Sequence, residues 1–236
     1  MQHVKALLFD VFGTLVDWRT SIAREARQIL SPLGISVDWE KFADAWRDQY
    51  QPAMDEVRTG RRPFSKLDVL HRRNLDVILR ESFDLDHVDD KTRATLNLAW
   101  HRLDAWPDAA RGLARLRARF LIAPCSNGNI SLMVDLARRN AFLWDAIVGA
   151  ELARDYKPMP VVYLTAAAAL DCQPFEAMMV AAHSSDLAAA SAAGLRTAFI
   201  ARPNEHGNGK GETSASVAVD FSAVSLNDLA DQLGCA

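Results

Sequence analysis

An aspartate ends the first apolar run of the chain, in the sequence FDVFGTLVDW of residues 9–18. A carboxylate in this setting could bind a metal, attack phosphorus, attack carbon or cap a helix. Asp10 alone does not distinguish these four roles. The choice depends on which other reactive side chains the fold brings to Asp10.

Further polar side chains follow later apolar runs in the same way. They are Thr14 after the first run, Ser126 and Asn127 after the second, Lys157 after the third, and His183 with Asp186 after the fourth. Taken singly, each has an ordinary interpretation as a turn residue, a helix cap or an exposed lysine. Ligands of open parallel sheets bind beyond the carboxyl ends of the strands. Because four consecutive runs end in such side chains, we predict that they form one site.

The apolar runs themselves predict buried parallel strands, since they are apolar on both faces. They cover residues 4–10, 120–126, 146–150, 177–182 and 196–201. Helix-like segments lie between them at 107–120, 130–140 and 160–170. The alternation predicts an α/β fold, a doubly wound, Rossmann-like parallel sheet.

Residues 19–98 interrupt this alternation with helical periodicity, for example at Ile22, Ala26 and Ile29. We therefore predict a helical domain over 19–98, inserted after the first strand. Residues 1–18 and 99–236 would form the α/β core.

Composition excludes several classes of protein. The net charge of the 236 residues is -3, and no basic run suggests nucleic acid. No apolar stretch is long enough to cross a bilayer. Asp10 interrupts the first apolar run, and the small-residue cleavage site of a signal peptide does not follow it. The three cysteines are widely spaced, which is typical of reduced thiols. We expect a cytoplasmic protein without a membrane or nucleic-acid partner, and we include a homodimer among the expected assemblies.

Four motifs occur in order along the chain: FDVFGT, SNG, Lys157-Pro158 and the loop bearing Asp186. Together they resemble the motifs of the haloacid dehalogenase superfamily, and the resemblance covers nearly the whole chain. The resemblance makes the helical insertion the family's cap domain. Most members are phosphatases that hold magnesium with an acid two residues after the nucleophile and a pair of acids in the last motif. Phe12 and Ala182 occupy those places here, and neither side chain has the oxygen ligand that magnesium requires. A magnesium phosphatase is therefore disfavoured.

The chain is more similar to the L-2-haloacid dehalogenase branch, which has an aromatic residue where Phe12 stands and uses no metal or other cofactor. Arg47, Lys157, Tyr163, Ser126 and Asn127 match residues of that branch. Without the resemblance, Arg47 would be interpreted as a helix-surface arginine beside Asp44 or Asp48.

The resemblance implies hydrolytic dehalogenation of a short 2-haloacid through an ester of Asp10. It also implies a role for each matched residue. Arg47 and Asn127 would receive the halide. Ser126 and the backbone N–H groups of Val11 and Phe12 would bind the substrate carboxylate. Thr14 would bind Asp10, Asp186 would activate or orient water, and Lys157 would keep nearby carboxylates ionised. Tyr163 would belong to the substrate site.

One departure concerns the last motif, where Ala181 and His183 replace the serine and asparagine of well-known members. His183 could orient water or titrate near neutral pH, so we assign it to the site. Its loop also resembles that of fluoroacetate-active dehalogenases, which suggests fluoroacetate or chloroacetate as a substrate. Two alternatives stay open: a phosphatase or phosphonatase of a small phosphorylated metabolite, and a non-catalytic binding protein.

Overall fold

The computed structural model describes residues 4–236, which form two compact units. Trp18–Leu103 is the helical unit. The chain up to Asp17 and Asp104–Ala236 together form the α/β unit.

The helical unit contains five helices. They are α1 (Trp18–Leu30), α2 (Trp39–Asp48), α3 (Tyr50–Arg58), α4 (Leu67–Glu81) and α5 (Asp90–Asn97). Short 3₁₀ turns follow α1 at Ser31–Leu33 and α5 at Leu98–Arg102. Two helices begin at aspartates: Asp38 accepts a hydrogen bond from the backbone of Lys41, and Asp89 accepts one from Thr92. Each aspartate thereby satisfies an N–H group that the first helical turn leaves without a partner.

The α/β unit is built on a sheet of six parallel strands. These are β1 (Ala6–Phe9), β4 (Leu121–Ser126), β5 (Val148–Gly149), β6 (Ala177–Ala181), β7 (Arg196–Ile200) and β8 (Phe221–Ala223). They pair in the order β5-β4-β1-β6-β7-β8, and all their pairings are parallel. A short antiparallel pair, β2 (Val16–Asp17) with β3 (Asp104–Ala105), stands where the chain leaves and re-enters this unit.

Helices connect the parallel strands. They are α6 (Ala109–Arg117), α7 (Ile130–Asn140), α8 (Ala150–Ala153), α9 (Pro160–Ala168), α10 (Ser184–Ala192) and α11 (Leu226–Gln232). A 3₁₀ turn at Pro174–Glu176 precedes β6. Pro160 stands in the first turn of α9, where its missing N–H removes no helical hydrogen bond.

The strand order reverses direction at β1, which lies between β4 and β6. Counting only the six parallel strands, the order is 3-2-1-4-5-6, the doubly wound arrangement whose ligands bind at the switch point. The backbone N–H of Asp10 donates to the carbonyl oxygen of Val180 at 3.0 Å, so the ladder between β1 and β6 extends to the nucleophile candidate. The topology therefore places Asp10 at the point where this fold binds ligands.

The structure confirms the predicted α/β class, the five predicted strands and the helical insertion after the first of them. It adds β8 and α11, which the sequence analysis did not identify. Within residues 4–236, no helix is both long and apolar enough to cross a membrane.

Candidate active site

Asp10 directly follows β1, and the residue is 6% exposed. Its Oδ1 atom accepts a hydrogen bond from Lys157 Nζ at 2.9 Å, and its Oδ2 atom accepts one from Thr14 Oγ1 at 2.7 Å. The Thr14 hydroxyl in turn accepts from the backbone N–H of Ala182 at 2.9 Å. Thr14 therefore connects the loop after β1 to the end of β6 and fixes the orientation of the Asp10 carboxylate.

Lys157 bridges the two acids that the sequence analysis singled out. Besides Asp10, its Nζ atom donates to Asp186 Oδ2 at 2.6 Å. The hydroxyl of Tyr163, on α9, donates to the other oxygen of Asp186 at 2.5 Å. Because Asp186 lies in the first turn of α10 and Tyr163 in the middle of α9, two helices fix the second carboxylate.

The charges of this cluster stabilise one another. Burial opposes ionisation of Asp10, but the ammonium of Lys157, the imidazole of His183 and the hydroxyl of Thr14 outweigh it and hold the pKa of Asp10 well below its ordinary value. Burial also opposes the charged form of Lys157, yet the carboxylates of Asp10 and Asp186 raise the pKa of this ammonium well above its usual range. At neutral pH Asp10 is therefore a buried, ionised carboxylate.

The loop after β4 supplies two polar side chains. Asn127 Oδ1 accepts a hydrogen bond from the backbone N–H of Lys157 at 2.8 Å, which leaves the amide NH₂ group of Asn127 as the donor end. Ser126 Oγ accepts from the backbone N–H of Gly128 at 3.0 Å. Val11 and Phe12, in the loop after β1, are 1% and 2% exposed. The structure thus brings the predicted residues of the α/β unit to one edge of the sheet.

His183 lies between two carboxylates. Its Nδ1 atom is 3.1 Å from Asp10 Oδ2, and its Nε2 atom is 2.9 Å and 3.0 Å from the two oxygens of Glu205. Burial favours the neutral imidazole, but the carboxylates of Asp10 and Glu205 raise the pKa of His183 to about 10.

Five charges consequently alternate in sign along the cluster, in the order Glu205, His183, Asp10, Lys157, Asp186. Glu205 was not identified by the sequence analysis because it lies in the Gly-, Ser- and Asn-rich segment after β7, which resembles an ordinary loop. Glu205 nevertheless follows the carboxyl end of a fifth parallel strand, and the rule applied to the other four strand ends would have included it.

Arg202 anchors the loop that carries Glu205. Its guanidinium donates to both carboxylate oxygens of Asp108, at 2.8 Å and 3.0 Å, and to the carbonyl oxygen of Thr14 at 2.8 Å. Arg202 is 7% exposed and Glu205 is 2% exposed. The beginning of this segment is thus tied to the same loop that carries Asp10.

Arg47 belongs to the helical unit, near the end of α2. Its guanidinium carbon lies 4.0 Å from the centroid of the Tyr50 ring and 5.3 Å from that of Trp18, which is cation–π geometry. Asp44, one of the two partners considered from the sequence, binds Arg19 through both carboxylate oxygens. Trp46, beside Arg47, is fully buried and donates its ring N–H to the carbonyl of His71. Trp46 is therefore a core residue of the helical unit.

The donor set of the site does not suit magnesium. Phe12 and Ala182, at the places where carboxylates would be needed, are buried and supply no side-chain oxygen. The two carboxylates that remain, Asp10 and Asp186, share the ammonium of Lys157. In the part of the chain that the structure covers, no group of three or more His, Cys, Asp or Glu side chains could hold a metal ion.

Comparison with known proteins agrees with this geometry. A family model for haloacid dehalogenase-like hydrolases matches residues 4–194. The (S)-2-haloacid dehalogenase 1 of Pseudomonas sp. (strain CBS-3) is 31% identical over 87% of this chain and 88% of its own length. The crystal structure of a defluorinating L-2-haloacid dehalogenase is 46% identical, with a TM-score of 0.95 over 98% of this chain and 96% of the other. Another L-2-haloacid dehalogenase is 45% identical, with a TM-score of 0.93 over 98% and 99% of the two chains. The chain belongs to the haloacid dehalogenase-like hydrolase family.

Proposed function

We propose that this protein hydrolyses the carbon–halogen bond of short 2-haloacids, haloacetates included, to give 2-hydroxy acids. The observation that carries the proposal is the buried, ionised Asp10 carboxylate, held by Lys157 and Thr14, with no acid at Phe12 or Ala182. Such a carboxylate suits attack on carbon, whereas attack on a phosphate dianion would require a cation to neutralise the substrate. The 46% identity to a defluorinating L-2-haloacid dehalogenase supports the same reaction.

The first step is displacement of the halide by Asp10. The carboxylate attacks C2 of the substrate on the side opposite the halogen, the C2–O bond of an ester forms, and the halide leaves with the electrons of the carbon–halogen bond. We assign the substrate carboxylate to Ser126 and to the backbone N–H groups of Val11 and Phe12. We assign the developing halide to Arg47 and to the amide of Asn127, whose orientation is fixed by its bond to Lys157.

The second step is hydrolysis of the ester. Water adds to the carboxyl carbon of Asp10, the product leaves with the oxygen that attacked C2, and the Asp10 carboxylate is restored. Asp186 is the proposed acceptor of the water proton, with Tyr163 fixing its position. No metal or other cofactor takes part in either step.

The test is halide release from fluoro-, chloro- and bromoacetate in the presence of a chelator. Wild type is expected to release halide, and Asp10→Asn to release none, because an amide is not a nucleophile toward carbon. A single turnover in ¹⁸O-labelled water should label Asp10, detected by mass spectrometry of its peptide, and should leave the first product unlabelled. Label in the first product instead would mean that water attacks C2 directly.

The phosphatase alternative predicts a different result in a parallel assay. Turnover of a generic phosphate ester that rises with magnesium and stops with the chelator, without halide release, would replace the dehalogenase proposal. Inactivity toward both substrate classes would favour a binding protein.

We further propose that Trp18–Leu103, close to the predicted boundaries 19–98, is the cap of this enzyme. We also propose that the protein acts in the cytoplasm as a homodimer. Three free, buried cysteines (Cys125, Cys172 and Cys235) support a reducing compartment. Sedimentation velocity at micromolar concentration tests the dimer.

A further inference from the structure

The two oxygens of Asp10 have different surroundings. Oδ1 accepts a hydrogen bond from one side chain of the cluster, Lys157 Nζ, whereas Oδ2 faces both Thr14 Oγ1 and His183 Nδ1. A nucleophilic oxygen needs a lone pair directed at the carbon it attacks. Oδ1, with fewer donors, is therefore the attacking atom. Oδ2 then becomes the carbonyl oxygen of the ester, with two donors already in place.

His183 keeps its proton because it lies between the carboxylates of Asp10 and Glu205. Both oxygens of Glu205 are within 3.0 Å of His183 Nε2, and the carboxylate is almost completely buried. Ionisable groups next to this pair include Asp10, on Nδ1, and His206, whose Nε2 atom is 3.7 Å from Glu205. An imidazolium donates from both nitrogens and cannot accept a proton, so His183 is unsuited to be the base that activates water.

Gly13 shows that the backbone around Asp10 accommodates Glu205. A Cβ atom at Gly13 would lie 2.0 Å from Glu205 Oε1, and the residue has a φ of +85°. Any side chain at this position would displace the glutamate carboxylate and would also strain the backbone. The loop of the nucleophile and the loop after β7 thus fit together only with glycine at this position.

We propose that His183, held in place by Glu205, forms with Thr14 an oxyanion hole for hydrolysis of the Asp10 ester. This inference rests on the ester intermediate of the proposed function. When water adds to the carboxyl carbon, the electron pair of the carbonyl bond moves onto Oδ2, where Thr14 and His183 donate to it. The pair then returns and the bond from the carboxyl carbon to Oδ1 breaks.

The protons of this step balance without a change at His183. Asp186 takes one proton from the attacking water, and Lys157, which contacts both Asp186 and Oδ1, donates one to the leaving alkoxide and is reprotonated by Asp186. The second proton of the water leaves as the restored Asp10 ionises. Glu205 is a positioning residue, because it acts on the reacting atoms through His183.

The first experiment separates the two chemical steps with chloroacetate in His183→Leu, whose side chain cannot donate a hydrogen bond. We expect a burst of about one chloride per active site, followed by a steady-state rate about 10²- to 10³-fold below that of wild type, the usual effect of losing one oxyanion donor. Mass spectrometry should show the ester accumulating on Asp10. A slowed burst without accumulated ester would overturn the inference, whereas absence of chloride release from wild type would overturn the proposed function itself.

The second experiment tests Glu205 by the pH dependence of kcat. Glu205→Gln keeps an acceptor for Nε2 but removes a charge that raises the pKa of His183, so we expect the alkaline limb of kcat to lie at lower pH than in wild type, with activity regained as the pH is lowered. Glu212→Gln is the matched control, since Glu212 lies in the same segment but binds Ser184. It should keep the wild-type limb. An unmoved limb in Glu205→Gln overturns the role of Glu205.

A third measurement needs no variant and therefore does not depend on the folding of one. The ¹⁵N chemical shifts of the His183 ring in wild type at pH 8 should be those of an imidazolium. A neutral ring at this pH would contradict the oxyanion assignment.

Discussion

Lys157 is the residue that makes two neighbouring carboxylates compatible. Asp10 and Asp186 both lie within hydrogen-bond distance of its ammonium group in a buried site. Two carboxylates that share a site without a cation repel each other, and one of them is then protonated near neutral pH. The ionised state of the proposed nucleophile therefore depends on a residue 147 positions away in the sequence.

Replacing Lys157 with methionine should lower kcat/KM for chloroacetate by more than about 10²-fold, because Asp10 loses the cation that keeps it ionised. Any remaining activity should increase with pH as Asp10 deprotonates. Chloride release from pH 5 to 9 measures both effects. Lys5→Met is the control, since Lys5 also pairs with a carboxylate, that of Glu176, but is exposed and precedes β1, at the end of the strand opposite to Asp10. Equal activity of the two variants would contradict this account.

Residue by residue, the sequence was sufficient where a reactive side chain ends or follows an apolar run. Asp10, Lys157 and Asp186 were found in this way, and the structure places the ammonium of Lys157 in contact with both carboxylates. Glu205 was not found, because its Gly-, Ser- and Asn-rich segment resembles an ordinary loop, although it follows a strand end, and nothing local in the sequence indicates that it pairs with His183. The charge state of His183 likewise depends on neighbours that only the fold supplies.

At the scale of elements, β7 has an Arg–Asp ion pair at each end. Arg196 starts the strand and binds Asp220, and its side chain is 56% exposed, whereas Arg202 follows the strand and binds Asp108 with a buried side chain. Exposed ion pairs contribute little to stability, but breaking a buried one leaves a charge without its partner. The buried pair of Arg202 and Asp108 therefore stabilises the loop that carries Glu205 far more than the exposed pair of Arg196 and Asp220 stabilises β7.

Arg202→Met should reduce the free energy of unfolding by about 3 kcal/mol, since it leaves the Asp108 carboxylate without its cation and the Thr14 carbonyl without this donor. Arg196→Met, at the other end of the same strand, should cost less than about 1 kcal/mol. Urea denaturation measures both. A similar cost for the two variants would show that Arg202 does not anchor the loop.

Strands with both faces buried were predictable from sequence, and those with one exposed face were not. The predicted strands β4 and β6 are almost continuously buried, as interior parallel strands are. The edge strand β8 has three residues, of which only Ala223 is buried. A run of this length has no apolar periodicity that distinguishes it from a loop.

At the scale of the whole molecule, the charged site links stability to pH. His183 has a folded-state pKa of about 10, raised by two carboxylates against the effect of burial, and an ordinary value of 6.5 when unfolded. Between these two values the folded protein holds a proton that the unfolded chain releases. The stabilisation is therefore complete below pH 6.5 and is lost as the pH rises toward 10.

We expect the free energy of unfolding of wild type to fall more steeply with pH than that of His183→Gln between pH 7 and 9.5. The difference in slope should approach about 1.4 kcal/mol per pH unit, the value for one proton. Denaturation of both proteins at several pH values in this range measures it, and the other ionisable groups cancel in the comparison. Parallel slopes would mean that His183 is neutral in the folded protein.

The alternation of charges from Glu205 to Asp186 has a consequence for the direction of turnover. With Asp10 ionised, each of the two cations has an anion on both sides. Esterification removes the central negative charge and leaves the two cations facing each other across a neutral group. The covalent intermediate therefore lacks the negative charge between the two cations, and hydrolysis of the ester restores it. The resting enzyme's own electrostatics thus favour completing the cycle over stopping halfway.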